Sequence, residues 1–262
     1  MYLQETNIRA LELLGVYTYL SSSQFMKLGL AKHQQSISKI LNRFFEQKKP
    51  MIKKLTFPVD PQRGKLENIY LLSKEGAKFL SELKDVDLDS ISYPKGSGEF
   101  FRDYNHRKRT IDYHIKLRLE AKEKNYTVEF FDTYFDKIGN QKAKSKDNKL
   151  QSKTKVELED GSFFIPDAIY KTVQTRNDGS TQDYLYALEI HNGADTKRAI
   201  ETIDKHLVAL ADGGLSRKYD YYYAHKVVVV FENEKYKENL VSKLSRENRF
   251  DEMLEYFEFI FW

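Results

Sequence analysis

Apolar positions in the first third of the chain follow helical spacing and then strand-like spacing. Apolar residues three and four apart predict three helices, at about 6–16, 22–29 and 33–49. A polar Pro/Gly turn separates two strand-like segments, and a helix follows them, which gives the ranges 51–57, 66–72 and 73–83. Three helices, a hairpin and a closing helix are the order of a winged helix-turn-helix, and we assign residues 1–84 to such a domain.

The pattern in the remainder of the chain predicts a second domain. A segment at 85–104, with Pro94, Gly96 and Gly98, predicts a linker. Beyond it, helical spacing predicts helices at 105–124, 194–210 and 233–247, and apolar runs predict strands at 126–132, 154–158, 162–170, 183–191, 226–232 and 256–262. The order α-β-β-β-α-β, with additions, predicts an α/β domain over 105–262 (α+β for the whole chain), with a mixed sheet flanked by helices.

Composition narrows the class of protein. Hydrophobic residues make up 40% and charged residues 31%, which is the balance of a globular protein, and no apolar run reaches the ~20 residues that cross a bilayer. The N-terminus lacks the basic start and cleavage site of a signal peptide, so we expect a cytoplasmic protein without membrane insertion. The chain has no cysteine, which excludes disulfides, thiolate nucleophiles and thiolate zinc sites.

Positive charge is concentrated near the N-terminus. Residues 1–85 contain 14 Lys/Arg and 8 Asp/Glu, a net of +6, whereas the whole chain carries +4. Such a distribution suits a polyanion, because neutralised phosphates supply most non-specific DNA affinity. Since winged helices also dimerise or bind proteins, a protein-interaction module stays an alternative.

Candidate DNA contacts are polar side chains of the third helix, basic side chains of the hairpin and lysines of a very polar stretch. Residues 137–155 hold seven lysines and one Asp, which predicts a mobile loop or a frayed hairpin. The candidates for base edges or phosphates are His33, Gln34, Gln35, Ser38, Lys39, Asn42, Lys53, Lys54, Arg63, Lys65, Lys144 and Lys146. A homodimer would suit paired half-sites.

Two acids interrupt apolar strands of the second domain. Asp167 lies in FFIPDAIY and Glu189 in YLYALEIH. A buried carboxylate costs several kcal/mol unless it is paired or binds a cation. Either acid could instead face solvent from an exposed strand face, but two acids on consecutive strands can share a Mg²⁺ or Mn²⁺ ion. Such an ion polarises a phosphoryl group and activates water.

With these residues in place, the chain resembles the PD-(D/E)XK nuclease superfamily, whose fold is a restriction-endonuclease-like mixed sheet. More closely, it resembles the replication-relaxation family of plasmid and mobile-element proteins, including the MOBC-type mobilisation relaxases. The resemblance covers nearly the full length through IYLLSKEGAKFL, HRKRTID (His106 to Asp112), FIPDAIY, ALEIHNG and Lys205. It implies metal-dependent nicking or relaxation of DNA at an origin, with accessory relaxosome proteins as partners.

The chain departs from the superfamily pattern in one position. A lysine usually lies two residues after the second acid, where this chain has His191. The resemblance makes Lys205 the replacement, while Lys197 and Arg198 are nearer in sequence and His191 could itself bind metal. Glu120 and Glu129 could complete a metal site, although each is better explained as a surface carboxylate. His114, His206 and His225 lack metal-ligand spacing and read as structural.

Three functions therefore compete. The first is a DNA-nicking relaxase or nuclease in which Asp167 and Glu189 hold the metal and Lys205 stabilises the phosphorane charge. The second is a DNA-binding replication or transcription regulator with an inactive nuclease-like domain. The third is a tyrosine relaxase, suggested by Tyr219 and Tyr221 to Tyr223, but the chain lacks the paired histidines that such enzymes use, so we expect these tyrosines to pack beside the strand at 226–232.

Overall fold

The computed structural model describes residues 4–45, 47–61, 64–94, 100, 103–139, 149–176, 178–193, 195–247 and 254–262. The prediction of a mixed α/β chain is confirmed. Two compact units divide at Lys116 and Leu117, within the helix predicted at 105–124, whereas the sequence places a linker at 85–104. Among the described residues, no helix combines the length and apolar character that crossing a bilayer requires.

Unit 1 contains short strands between helices. Its helices are α1 (Glu5–Tyr17), α2 (Ser22–Lys27), α3 (Gln34–Asn42) and α4 (Lys74–Lys84), followed by the first part of α5 (Tyr104–Lys124). Its strands are β1 (Tyr19–Ser21), β2 (Ile52–Leu55), β3 (Val59–Asp60), β4 (Gly64–Lys65) and β5 (Ile69–Leu72). The strands β1, β5 and β2 form an antiparallel three-stranded sheet in that order, and β3 pairs with β4 beyond it.

The third helix is shorter than predicted. It ends at Asn42, and the next residues form a turn in which the amides of Phe44 and Phe45 donate to the carbonyls of Leu41 and Asn42. These tighter i→i+3 bonds end the helix, and the Phe44 side chain is fully buried. Strand β1 was not predicted, because three residues are too few to show an alternating pattern.

The HRKRTID segment packs within unit 1. Lys108 pairs with Glu67, which also accepts hydrogen bonds from the amide and hydroxyl of Ser23. Asp112 pairs with Lys27 of α2 at 2.9 Å. The charged residues of this segment therefore hold the start of α5 against α2 and the chain just before β5.

Unit 2 is built around one mixed sheet. The end of α5 leads into β6 (Tyr126–Thr133), β7 (Lys137–Ile138), β8 (Gln151–Ser152), β9 (Val156–Glu157), β10 (Phe163–Phe164), β11 (Ala168–Thr175) and β12 (Thr181–His191). Then follow α6 (Thr196–Asp212), α7 (Gly214–Lys218), β13 (Lys226–Phe231), α8 (Glu234–Leu244) and β14 (Phe257–Phe261). The sheet order is β14-β13-β12-β11-β6; β6, β11 and β12 run antiparallel, while β12, β13 and β14 run parallel.

One face of this sheet is covered by α6 and its neighbours. The alternate residues Leu185 and Ala187 of β12 pack with Ile169 of β11 and with Ala209 and Leu215 from α6 and α7. The same alternation on β13 buries Val227, Val229 and Phe231 against Ala199 and Ile203 of α6. On β12 the alternation of Leu185 and Ala187 continues to Glu189, which therefore lies on the face covered by α6.

The strand predicted at 162–170 is wrong in extent. The chain forms β10 at 163–164 and begins β11 only at Ala168, so Asp167 lies just outside the strand. Pro166 explains the interruption, because proline cannot donate a ladder hydrogen bond and restricts the residue before it.

The ends of the lysine-rich stretch form a hairpin, one of the two predicted alternatives, whereas the tyrosines depart from expectation. Lys137–Ile138 and Gln151–Ser152 pair as β7 and β8, while residues 140–148 lie outside the described residues. Tyr219 stacks on Phe130 of β6 at 5.1 Å between ring centroids and, with Tyr221, packs against the cluster that contains Leu185 rather than against β13. Tyr222 is 92% exposed and Tyr223 63% exposed, so the expected packing against the valine strand is wrong for these two residues.

Candidate functional site

Asp167 and Glu189 lie opposite each other on neighbouring chain segments. Ala168 pairs with Leu188 in the β11–β12 ladder, so the next position of the antiparallel register sets Asp167 across from Glu189. Asp167 Oδ2 accepts a hydrogen bond of 2.7 Å from the amide of Ile190, which ties its carboxylate to β12. Residues opposed in this way share a face of the sheet, here the face covered by α6.

Glu189 is buried, with 7% of its surface exposed. Burial raises the pKa of its carboxyl well above the usual range, and the charge of Asp167 raises it further, while Lys205 and Arg198 lower it in part. Its Oε1 lies 2.7 Å from Nε2 of His206 on α6. The carboxylate thus faces an acid, a buried histidine and two cations.

The cation candidates on α6 differ in their effect on this carboxylate. Lys205 has the larger favourable effect on the Glu189 charge and Arg198 the next, and both side chains are exposed. Lys197 pairs loosely with Glu201 at 3.9 Å. His191 is half-buried at the end of β12, with its ring stacked on Phe231 at 5.5 Å. Two cations therefore act on Glu189, and Lys205 acts more strongly.

His225 lies beside this group, with its ring centroid 6.3 Å from that of His206. It is fully buried, and neither ring nitrogen has a hydrogen-bond partner among the described residues. Burial lowers the pKa of His225 to about 4, against a smaller opposing effect of Asp212. The imidazole therefore stays neutral over most of the pH range in which a free histidine takes up a proton.

We expect His225→Leu to make the protein more resistant to acid. The unfolded chain takes up a proton at His225 below about pH 6.5, whereas the folded chain does so only near pH 4, so this residue reduces stability as pH falls through that window. The penalty amounts to about 3 kcal/mol once pH reaches 4. Urea unfolding from pH 7.5 to 4 measures the free energy of unfolding of both proteins. The stability of the variant relative to the wild type should increase only below about pH 6.5, and a constant difference over the whole range would contradict the assignment.

The carboxylates of Asp167 and Glu189 supply some, but not all, of the ligands that a single hard divalent cation needs. Two carboxylates opposed across a strand pair are oxygen donors of the kind that Mg²⁺ and Mn²⁺ prefer, and such a cation would offset the unfavourable effect of Asp167 on the charge of Glu189. One oxygen of each acid is already engaged, by Ile190 and by His206. In the described part of the chain, no group of three or more His, Asp or Glu side chains is placed to hold a metal ion.

The two additional acids from the sequence are engaged elsewhere. Glu120 pairs with Lys124 at 3.5 Å, and Glu129 is exposed and pairs with Lys171 at 3.2 Å. These ion pairs agree with the explanation of both residues as surface carboxylates.

In unit 1, the described side chains that we predict to contact DNA lie at helix α3 and on the hairpin that follows it. His33 precedes α3, and Gln34, Gln35, Lys39 and Asn42 are exposed on it, with Ser38 half-buried. Ile37 and Leu41 on the opposite side of α3 are fully buried. Lys53 and Lys54 are exposed on β2, and Lys65 on β4. Arg63, Lys144 and Lys146 lie outside the described residues.

His206 is the residue that sequence reasoning missed. It follows Ala199 and Ile203 at helical spacing on the buried side of α6, where an aliphatic residue is expected. A histidine in such a stripe, on the helix that follows an acid-bearing strand, was the available signal.

No protein-family model, curated protein or solved structure matches this chain.

Proposed function

We propose that the chain binds DNA through a winged helix in unit 1 and cleaves a phosphodiester in unit 2 with Asp167 and Glu189. The observation that carries the proposal is the opposed acid pair, which shares its sheet face with the helix that supplies Lys205 and Arg198. This is the combination that metal-assisted phosphodiester cleavage requires: oxygen donors for a cation and positive charge for the transition state.

The topology of unit 2 supports the nuclease assignment. The succession α5, β6, β11, β12, α6 and β13 reproduces the α-β-β-β-α-β order that the resemblance implies, with three antiparallel strands and one parallel crossover. Short strands β7 to β10 are inserted between β6 and β11, and α8 and β14 are added at the end.

The arrangement of unit 1 supports DNA binding. α2 and α3 are followed by the hairpin of β2 and β5, whose tip is formed by β3 and β4. The exposed amides and amine of α3 are donors and acceptors suited to base edges, and the exposed lysines of the hairpin suit phosphates. A homodimer and accessory relaxosome proteins stay predictions from the resemblance.

In the proposed reaction, Asp167 and Glu189 would hold the cation. When bound, Mg²⁺ or Mn²⁺ would supply Lewis-acid polarisation of the phosphoryl oxygens and water of lowered pKa. Lys205, with Arg198 as a second cation, would stabilise the charge that develops on the phosphorus-bound oxygens. The hydrogen bond from the Ile190 amide keeps the Asp167 carboxylate turned towards β12.

The test is nicking of supercoiled plasmids that carry the DNA flanking the coding gene. We expect the purified chain to convert them to open circles with Mg²⁺ or Mn²⁺ and to leave them intact with EDTA. Gel shifts on the same DNA measure binding separately. Binding without any nicking, across both metals, would overturn the cleavage half of the proposal.

That outcome would favour a regulator with an inactive nuclease-like domain. Two observations motivate this second candidate: His191 occupies the usual lysine position, and Glu189 already shares a hydrogen bond with His206. Under it, binding to flanking DNA persists and no metal accelerates any change in the plasmid.

A further inference from the structure

The side chain of His206 makes one hydrogen bond among the described residues, and that bond goes to Glu189. Its Nε2 is 2.7 Å from Glu189 Oε1, and its Nδ1 is buried without a partner in the described part of the chain. The side chain is fully buried, and its ring makes a T-shaped contact with Phe164 at 5.0 Å between centroids. An imidazole in such a place loses its hydration and regains only this contact.

The single contact constrains the tautomer. If Nε2 carries the proton, it donates to the carboxylate, and Nδ1 is left as an unpaired acceptor. The opposite tautomer would leave a buried N–H without an acceptor, and an orphaned buried donor is rarer than an under-satisfied acceptor. The neutral Nε2–H form therefore fits the surroundings, and it donates to Oε1 of Glu189.

From this arrangement we propose that His206 is a positioning residue, which holds the Glu189 carboxylate by one oxygen so that the other faces Asp167 and a divalent cation. The inference deepens the proposed function and rests on it. His206 cannot itself ligate the ion through Nε2, because that nitrogen is directed at Glu189 Oε1. Residues that hydrogen-bond to metal ligands in this way usually change metal affinity about 10- to 100-fold when they are removed.

A packing role alone would need no polar atom at this position. Ala199 and Ile203, which precede His206 on the same stripe of α6, are apolar and buried, and leucine would continue that stripe. His225 offers the matched comparison, because it is equally buried and contacts no carboxylate through either ring nitrogen among the described residues.

The experiment measures Mn²⁺ binding by the loss of the electron paramagnetic resonance signal of free Mn²⁺, with full-length protein. We expect His206→Leu to weaken Mn²⁺ binding about 10- to 100-fold, His206→Gln to recover part of it by keeping an N–H donor, and His225→Leu to bind as the wild type does. In nicking assays the His206→Leu rate should recover at saturating Mn²⁺, since only the metal dependence is altered.

The outcomes separate this inference from the proposed function. Wild-type affinity in His206→Leu would overturn the positioning role and leave the metal site standing. A wild type that binds no Mn²⁺ would overturn both. If His206→Leu does not fold, nitrogen-15 spectra of the wild-type histidines titrated with Mg²⁺ decide the matter: the His206 ring signals should move saturably while those of His114 in unit 1 do not, and an unmoved His206 would overturn the inference.

Discussion

Asp167→Asn and Glu189→Gln are each expected to reduce plasmid nicking by at least about 10³-fold, because each removes a charge that the proposed cation and transition state require. The loss should appear in the rate constant at saturating DNA, with DNA affinity in gel shifts retained. Initial rates of open-circle formation in Mg²⁺ and in Mn²⁺ measure it.

Stability separates lost chemistry from lost structure. The pKa of Glu189 is raised in the folded chain, which means that folding favours the protonated carboxyl. The contribution of this group to the free energy of unfolding is therefore present at low pH and is lost as pH rises through the folded pKa. Glu189→Gln should therefore be at least as stable as the wild type at pH 8. Glu129→Gln and Asp183→Asn are matched controls on the same sheet, since both acids pair with Lys171 instead, and a comparable activity loss in either would contradict the assignment.

Gly76→Ala is expected to destabilise unit 1 by about 3 kcal/mol or more. A methyl group on Gly76 would overlap the backbone oxygen of Met51. That oxygen also accepts from the amide of Ser73, the residue whose hydroxyl caps α4 by accepting from Gly76 N at 3.1 Å. Alanine gains only about 1 kcal/mol in helix propensity, so the clash determines the sign.

Urea unfolding followed by far-ultraviolet circular dichroism measures this change, and hydrogen exchange of peptides spanning 50–84 localises it. Gly15→Ala is the control within the same unit, because the added methyl would meet only side-chain atoms, the nearest being the end of Leu80 at 3.2 Å, with Ile91 and Leu72 at ordinary contact distance. We expect it to change stability by less than about 1 kcal/mol. An unaltered midpoint in Gly76→Ala would show that α4 can move away from Met51 without cost.

Periodicity predicted the long elements and missed the short ones. Helices α1, α4, α5, α6 and α8 and the strands β6, β12 and β13 follow apolar patterns that extend over several turns or alternations. β1 was missed because three residues carry no period, and α7 because Gly213, with φ of +68°, begins it directly after α6. The break before β11 could have been predicted from Pro166. Proline has no N–H to donate to a strand ladder, so the apolar run around it does not form one continuous strand.

The candidate site was predictable only as two acids and a choice among cations. Asp167 and Glu189 stand out as charges in apolar surroundings, whereas their mutual register depends on how β11 pairs with β12. Lys205 and Lys197 are indistinguishable by composition, and their different effects on Glu189 come from the turn of α6. His206 was assigned a structural role because a contact between β12 and α6 is a tertiary one that no local spacing encodes.

The burial of Glu189 has an evolutionary consequence. Keeping a carboxylate in an apolar layer, away from water, lowers the stability of the folded protein. Its exchange for valine needs only a single-nucleotide change in the glutamate codon. For a lineage that no longer used the acid, that exchange would remove the desolvation cost, but it would also leave Nε2 of His206 without its partner, so a second change at His206 would complete the gain. Two such changes together are harder to reverse than one, and they would leave unit 1 untouched.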